Sequence, residues 1–331
     1  MKVIIPLAGK GTRMRPHTHT KAKPLLPVAG KPVLDHVLDC LAGLDVSEYI
    51  FITGHLKEQI EEHITALGLP ARFIEQQVKD GTAGACRLAE PYVKEPVLIV
   101  FVDTIFDADL SVIKECEDDG LIWAQEVEDY QRFGVIVHDE DGYVTNFVEK
   151  PSEPISKLAN IGLYYIKDWK RFFAGIEYVY EQDLKVKGEY FLPEAFMHMV
   201  TQGAKLKVLP VKGWYDCGKP ETALESNAIL LKRYHTVKSP TKGTTINEPV
   251  YIGEGCTIED SVIGPNVSIA DGCTVKGAKL RDCIIDRNST VKEITLSESI
   301  LGEETFIEGN GHENEHMMLI GDHGRARIRG L

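Results

Sequence analysis

A chain of 331 residues, 43% of them hydrophobic, is long enough to bury a full core and to hold two domains. Its 37 Lys+Arg against 50 Asp+Glu give a formal charge of -13, which argues against nucleic acid or an anionic membrane as partner. No apolar run approaches the ~18 residues a membrane span needs. MKVIIPLAG is too short for a signal peptide, and the 7 cysteines are scattered without a C-x-x-C pair, so a reduced, cytoplasmic protein with neither disulfide frame nor zinc site is expected.

Up to residue 235, β-rich runs alternate with helical patterns. Val3–Leu7, Tyr49–Thr53, Arg72–Gln76 and Val97–Val102 read as strands. Between them, Val33, Leu34, Val37, Leu38 and Leu41 fall at helical spacing, as do Ile60, Ile64 and Leu67. Such alternation predicts βαβ units and a Rossmann-like, mostly parallel sheet. FGVIVHDEDGYVTNFVEK reads as a hairpin turning at Asp141–Gly142, and Pro220–His235 as a last helix with Leu224, Ala228, Leu231 and Tyr234 on one side. TVKSPTKG then reads as a linker between a first domain, residues 1–237, and a second, residues 244–331.

Beyond the linker, aliphatics recur every five or six positions, and Ile252, Ile269, Ile285 and Leu301 repeat at the larger spacing of a full coil. Cys256 and Cys273 occupy matching corners. This pattern predicts a hexapeptide-type β-helix with three short strands per triangular coil. The closing GNGHENEHMMLIGDHGRARIRGL partly loses the period and reads as a solvated cap; HENEH is not the H-E-x-x-H metal pattern.

The opening loop carries the chemical signal. Gly9-Lys10-Gly11-Thr12-Arg13 follows a strand end, where backbone N–H groups can cradle phosphate, and Arg13, Arg15, Lys21 and Lys23 concentrate cations in an otherwise acidic chain. The loop is neither a Walker motif nor a dinucleotide fingerprint. Its continuation, GKGTRMRP…KAKPLLPVAGKPVLDHVL, closely resembles the signature of the sugar nucleotidylyltransferases, also called sugar-1-phosphate pyrophosphorylases. EQQVKDGTAGA, VFVDTIFDADL, FGVI with VEKP, and WYDCGKPETALESN resemble that family's further motifs, in order, as far as Asn227. Ala22, where the family usually has Pro, and Val102, where it has Gly, depart from the pattern and put the stiffness of the loop and the approach of phosphate in doubt.

The resemblance implies a GT-A-like catalytic domain with helices on both faces of its sheet and a left-handed β-helix as appendage. It implies attack of a sugar-1-phosphate oxygen on the α-phosphorus of a nucleoside triphosphate, with pyrophosphate leaving, and Mg2+ as cofactor. It assigns the nucleotide to Leu7, Ala8, Gly9, Gly11, Thr12, Arg13, Lys23, Gln76, Gly81 and Thr82, and the sugar phosphate to Gly134, Glu149, Lys150 and Asn160. Arg13, Lys23, Asp103 and Asp216 carry catalysis, the two aspartates as metal ligands. Asp107 and Asp109 read instead as caps of a helix near Leu110. The basic loop as a whole is expected to face the triphosphate, and a homo-oligomer, with the β-helix as a route to assembly, is expected.

The base is read from Gln76, whose amide complements the imide of thymine or uracil, so dTTP or UTP is expected, with glucose-1-phosphate on family frequency. Gln77 or Glu75 would take the role if the loop slips by one residue, and Glu75 would favour guanine and a mannose-1-phosphate guanylyltransferase. A non-catalytic, nucleotide-sugar-binding regulatory subunit is the further alternative.

Overall fold

The apolar runs of the first 210 residues form one mixed sheet. Its strands are β1 (Lys2–Pro6), β2 (Glu48–Thr53), β3 (Ala71–Glu75), β4 (Val97–Val100), β5 (Gly120–Glu126), β6 (Gly134–His138), β7 (Val144–Glu149), β8 (Leu158–Ile166) and β9 (Leu206–Pro210). The computed structural model describes residues 1–311 and 314–328. By internal contacts the chain divides into Met1–Gly9 with Val37–Trp214, and Lys10–His36 with Tyr215–Leu331.

In the first unit the sheet order is β7-β6-β8-β4-β1-β2-β3, with β5 between β8 and β9. Pairing is parallel through β4-β1-β2-β3 and β5-β9, and antiparallel where β8 enters and in the β6–β7 hairpin. Alternation along the parallel strands sends Ile4, Ile50, Ile52, Val97 and Ile99 into one core with Cys86, Phe172, Ile176 and Phe196. The intervening Val3, Ile5, Phe51 and Leu98 are equally buried, so both faces of the sheet are covered, as a parallel sheet requires. The α-helices of this unit among the described residues are α2 (Lys57–Ala66), α3 (Thr82–Arg87), α4 (Trp169–Glu181) and α5 (Leu192–Thr201), while α1 (Val33–Cys40) crosses the division and α6 (Pro220–Tyr234) belongs to the second unit. Ile60 and Ile64 are buried on α2, but Leu67, expected on the same face, caps the helix and is exposed.

The hairpin turns where the sequence places it: Gly142 adopts φ +80°, and its N–H donates to the Asp139 carbonyl. The apolar run at Val97 ends its strand at Val100, so Asp103 stands in the turn before the next strand, Thr104–Asp107. The helix expected near Leu110 is a 3-10 turn, Ser111–Glu115, and Asp109 rather than Asp107 receives its N–H.

In the second unit the coil spacing is realised as a ladder. Ile252, Ile269, Ile285 and Leu301 pair in register, and so do Ile258, Val275, Val291 and Ile307. Ile263, Leu280 and Leu296 make the third row. Every pairing among these strands is parallel and their aliphatics form one buried core, which fits the left-handed β-helix.

Three readings change here. TVKSPTKG is no linker, because Thr236–Val237 and Thr241–Lys242 pair with Tyr251–Ile252 and Ile258–Glu259 and open the first coil. The closing segment continues the ladder rather than capping it, with Ile320 over Leu301 and Ala326 over Ile307; of the HENEH stretch, His312 and Glu313 lie outside the described residues. Helix α6 buries Leu231 as expected, but beside it Ala223, Ser226, Asn227 and Leu230 rather than Leu224 and Ala228, which are half-buried, or Tyr234, which is exposed. Asn227 tolerates burial because its side chain bonds Ala29 N–H, Ser268 Oγ and the Asn266 carbonyl.

Candidate functional site

Gly134, Glu149, Lys150 and Asn160 come together in the first unit. Gly134 and Glu149 face each other in the antiparallel ladder of β6 and β7. A Cβ at Gly134 would stand 2.5 Å from Asn160 Nδ2 and 2.9 Å from Glu149 Oε2, so a side chain there would displace the two polar groups from where they stand. Asn160 Nδ2 donates to the Gly134 carbonyl at 2.9 Å, and its Oδ1 accepts from Gly162 N–H and the Tyr164 hydroxyl. Lys150 follows the strand at φ +47°, with its N–H on the Phe133 carbonyl. Its Nζ lies 2.7 Å from Glu149 Oε1 and 4.6 Å from the centre of the Phe191 ring.

Burial raises the Tyr164 phenol well above its ordinary value, and the charges of Glu149 and Asp103 add to this. Asp103 is thereby an electrostatic neighbour of the same cluster. Val102 beside it is buried. Two groups that the sequence reading passes over also belong here. Glu194 on α5 has a buried Oε2 without a hydrogen-bond partner; burial raises its carboxyl and the Glu149 charge adds to the rise, against its own backbone N–H. Trp214 packs edge-on at 5.0 Å against Phe133, and its buried indole N–H is likewise without a partner. The WYD motif was a signal for the tryptophan; nothing local marks Glu194, whose role comes from burial.

Gln76, Gly81 and Thr82 form a second group in the same unit. Gln76 is buried, and its Nε2 donates to Asp80 Oδ1 and the Gly81 carbonyl, each at 3.2 Å. Gly81 has φ +111°, and a Cβ there would stand 2.2 Å from the Tyr190 carbonyl oxygen. Thr82 opens α3 and accepts the Leu192 N–H at 3.2 Å. Of the alternatives to Gln76, Glu75 is exposed and paired with Lys57 at 2.5 Å, and Gln77 is exposed. At the end of β1, Leu7 and Ala8 are buried, with Leu7 N–H on the Ile52 carbonyl, and Gly9 follows exposed.

The second unit holds the rest of the opening signature. Gly11, at φ +62°, lies so close to Lys23 that a Cβ would meet the Lys23 Cβ at 2.9 Å. Thr18 Oγ1 donates to the Gly11 carbonyl at 2.8 Å. Thr12 and Arg13 are exposed on the turn that follows. Asp216 and Arg13 both lie against Gly218: Gly218 N–H donates to Asp216 Oδ1 at 2.7 Å, and its Cβ position is 3.2 Å from Arg13 Nη2.

Lys21 departs from the expectation that the loop's cations face the triphosphate. It is buried between Asp286 Oδ2 at 2.5 Å and Glu303 Oε2 at 2.9 Å, both on the β-helix. Burial alone would lower its ammonium, but these carboxylates hold it above its ordinary value. Its charge is committed inside the unit.

No group of three or more His, Cys, Asp or Glu is placed to hold a metal among the described residues. Asp103 and Asp216 each offer hard carboxylate oxygens, the donors that Mg2+ takes together with substrate oxygens and water. No described helix is long and apolar enough to cross a membrane.

The nucleotidyl transferase family model matches residues 2–233. A glucose-1-phosphate thymidylyltransferase of Streptomyces antibioticus is 29% identical across 99% of this chain and 100% of its own length. A mannose-1-phosphate guanylyltransferase catalytic subunit beta of Drosophila pseudoobscura pseudoobscura is 30% identical across 96% of this chain and 92% of its own. Among solved structures, a Bacillus anthracis protein assigned as a glucose-1-phosphate thymidylyltransferase, in complex with a sucrose, is 26% identical with a TM-score of 0.59, over 69% of this chain and 94% of that one.

Proposed function

The chain belongs to the nucleotidyl transferase family, and on that premise we propose that it condenses dTTP or UTP with glucose-1-phosphate to give an NDP-glucose and pyrophosphate. The observation that carries the acceptor side is the cluster at Gly134, where a glycine gap is bordered by an amide, a carboxylate and an ammonium. Asn160 and Glu149 suit sugar hydroxyls, and the Lys150 ammonium suits the phosphate.

An oxygen of the sugar phosphate attacks the α-phosphorus, the bond to the bridging oxygen breaks, and pyrophosphate leaves. The nucleophile is already ionised at neutral pH, so the barrier is one of positioning and of repulsion between two anions. Arg13 is assigned to the triphosphate, with Leu7, Ala8, Gly9, Gly11 and Thr12 as its cradle, and Lys23 to the charge that builds as pyrophosphate departs. Gly81 and Thr82 seat the base beside Gln76. Asp103 and Asp216 are the carboxylates assigned to Mg2+, which when bound neutralises phosphate oxygens. The catalytic work is assigned to residues 1–237, and an assembly role in a homo-oligomer to residues 244–331.

The amide's bonding narrows what Gln76 can offer a base from donors and acceptor to the acceptor alone. Both hydrogens of Gln76 are given to Asp80 and Gly81, so the amide has its acceptor oxygen to offer a base. That oxygen can accept the N3–H of thymine or uracil, whereas guanine's adjacent N1–H and 2-amino group suit the two oxygens of a carboxylate better. The test is pyrophosphate release across dTTP, UTP, GTP, CTP and ATP against glucose-, mannose-, galactose- and N-acetylglucosamine-1-phosphate. Fastest turnover with a pyrimidine nucleotide and glucose-1-phosphate is expected. GTP with mannose-1-phosphate as the best pair would replace the proposal with a guanylyltransferase, and no release with any pair would leave a binding subunit.

A further inference from the structure

Three coils of the β-helix each direct one carboxylate at the opening signature: Asp286, Glu303 and Asp322. Lys21 takes the first two, at 2.5 and 2.9 Å, and Thr20 Oγ1 donates to Asp322 Oδ2 at 2.7 Å. The coils are tied to one another here, since Glu303 N–H donates to Asp322 Oδ1. Just upstream, the Pro16 carbonyl packs on Gly321, where a Cβ would stand 3.1 Å from that oxygen. The same segment holds the phosphate turn on its other side, through Thr18 on the Gly11 carbonyl and the Lys23 side chain against Gly11.

Between Lys21 and Lys23 there is little slack. Ala22 is buried in an extended conformation with φ -61°, the value a proline would take, and its carbonyl accepts the Leu25 N–H. A well-packed apolar contact would serve the fold as well as a buried ion pair, and such pairs are best attested where they fix register. We infer that the β-helix is a positioning element for nucleotidyl transfer: Asp286 and Glu303 hold Lys21, and through it set where Gly11 and Lys23 stand. The inference rests on the catalytic reading of Lys23 given above. Misplacing a reacting group by 1 Å can cost about 10²-fold in rate, so a tether two residues from that lysine has leverage.

The experiment uses the full chain carrying Asp286→Asn with Glu303→Gln, and leaves Lys21 and Lys23 in place. Amide hydrogen exchange of residues 17–26 is measured without substrate, and steady-state kinetics with the best substrate pair. Exchange in that segment should quicken at least about tenfold, and kcat should fall at least about tenfold with KM for the sugar phosphate within about twofold. Unchanged exchange overturns the tether, and quickened exchange with unchanged kcat overturns its positioning role. If the double variant fails to fold, Glu303→Gln alone, which keeps Asp286, should show both effects at smaller size, and neither effect overturns the inference. A wild-type chain without transfer activity would sink the catalytic reading instead, and exchange would still decide whether the carboxylates hold the loop.

Discussion

Two lysines that a sequence reading treats alike sit in opposite surroundings. Lys150, in the Gly134 cluster, keeps 34% of its side chain in solvent, with one carboxylate oxygen at 2.7 Å and a ring beneath it. Lys21, on the β-helix, keeps 10% and is enclosed by carboxylates from two coils. The first keeps an ammonium open to solvent, and in the proposed function it would trade Glu149, itself 10% exposed, for an incoming phosphate. The second cannot move without stranding two acidic groups, one of them buried. A cation's partner count and exposure, more than its place in a motif, separate binding from architecture.

The largest expected effect tests that separation directly. Lys21→Met should lower unfolding free energy by about 3–5 kcal/mol, because the buried Asp286 loses its counter-charge. Lys150→Met should cost less than Lys21→Met, because Lys150 is 34% exposed and holds one carboxylate rather than two, and should appear chiefly as a raised KM for sugar phosphate. Denaturant midpoints of the two variants, read at constant slope, decide it. Equal losses would erase the distinction.

A second test uses His17, which lines a cavity of about 20 Å³ with Asp286 and Asp322 in the second unit. Burial lowers its pKa from 6.5 to about 4, against the pull of Asp322 and with help from Lys21. The unfolded chain therefore takes up a proton near pH 6.5 that the folded chain refuses until about pH 4. Stability from this group is full above pH 6.5 and falls as pH drops toward 4, by up to about 3 kcal/mol. His17→Gln should remove that share of the slope in urea titrations between those limits. An identical slope in wild type and variant would show that the Lys21 side of the comparison has no proton linkage at His17.

The same contrast explains what was legible in the sequence. Strands and coils were, because each repeats its burial pattern within a few residues: Ile252, Ile269, Ile285 and Leu301 declare their row by spacing alone. The grouping of Gly134, Glu149, Lys150 and Asn160 was carried by motif, and a hairpin plus its neighbouring strand brings them together. Lys21 was not legible, since its partners lie 265 and 282 residues away and no local pattern marks them. The buried polar stripe of α6 was missed for a related reason. Apolar periodicity pointed to Leu224 and Ala228, but Asn227 is buried because three distant groups satisfy it. The opening of the first coil looked like a linker because its Pro, Gly and Ser pattern is shared by loops and coil corners.

Next in size are Asp103 and Asp216, the carboxylates assigned to Mg2+ in the proposed function. Asp103→Asn and Asp216→Asn should each slow turnover about 10²-fold at saturating Mg2+, the scale for losing one strong electrostatic contact in the transition state. Both are partly exposed, so their stability cost should be small beside that of Lys21→Met, placing them on the Lys150 side of the comparison. Near-wild-type turnover in either variant would remove that residue from the assigned site.

The smallest effect concerns a site with no net charge to exchange. Gln76 is held by its own N–H groups to Asp80 and Gly81, and Tyr180 in turn donates its hydroxyl to the other oxygen of Asp80 at 2.5 Å. That network keeps the amide from turning over, so its donors are spoken for and one acceptor remains for the base. Guanine's two adjacent donors suit the two oxygens of a carboxylate better than one amide oxygen, a mismatch of about 1–3 kcal/mol. The expected preference in kcat/KM for dTTP or UTP over GTP is therefore roughly tenfold to hundredfold. Gln76→Leu should bring the ratio to within about threefold by removing the acceptor for both bases. Tyr180→Phe should narrow it less, since it frees the amide to turn without deleting it. A kcat/KM for GTP above that for both pyrimidine nucleotides in the wild-type chain would show that another group reads the base, and the locked amide at Gln76 would then be a structural device like Lys21.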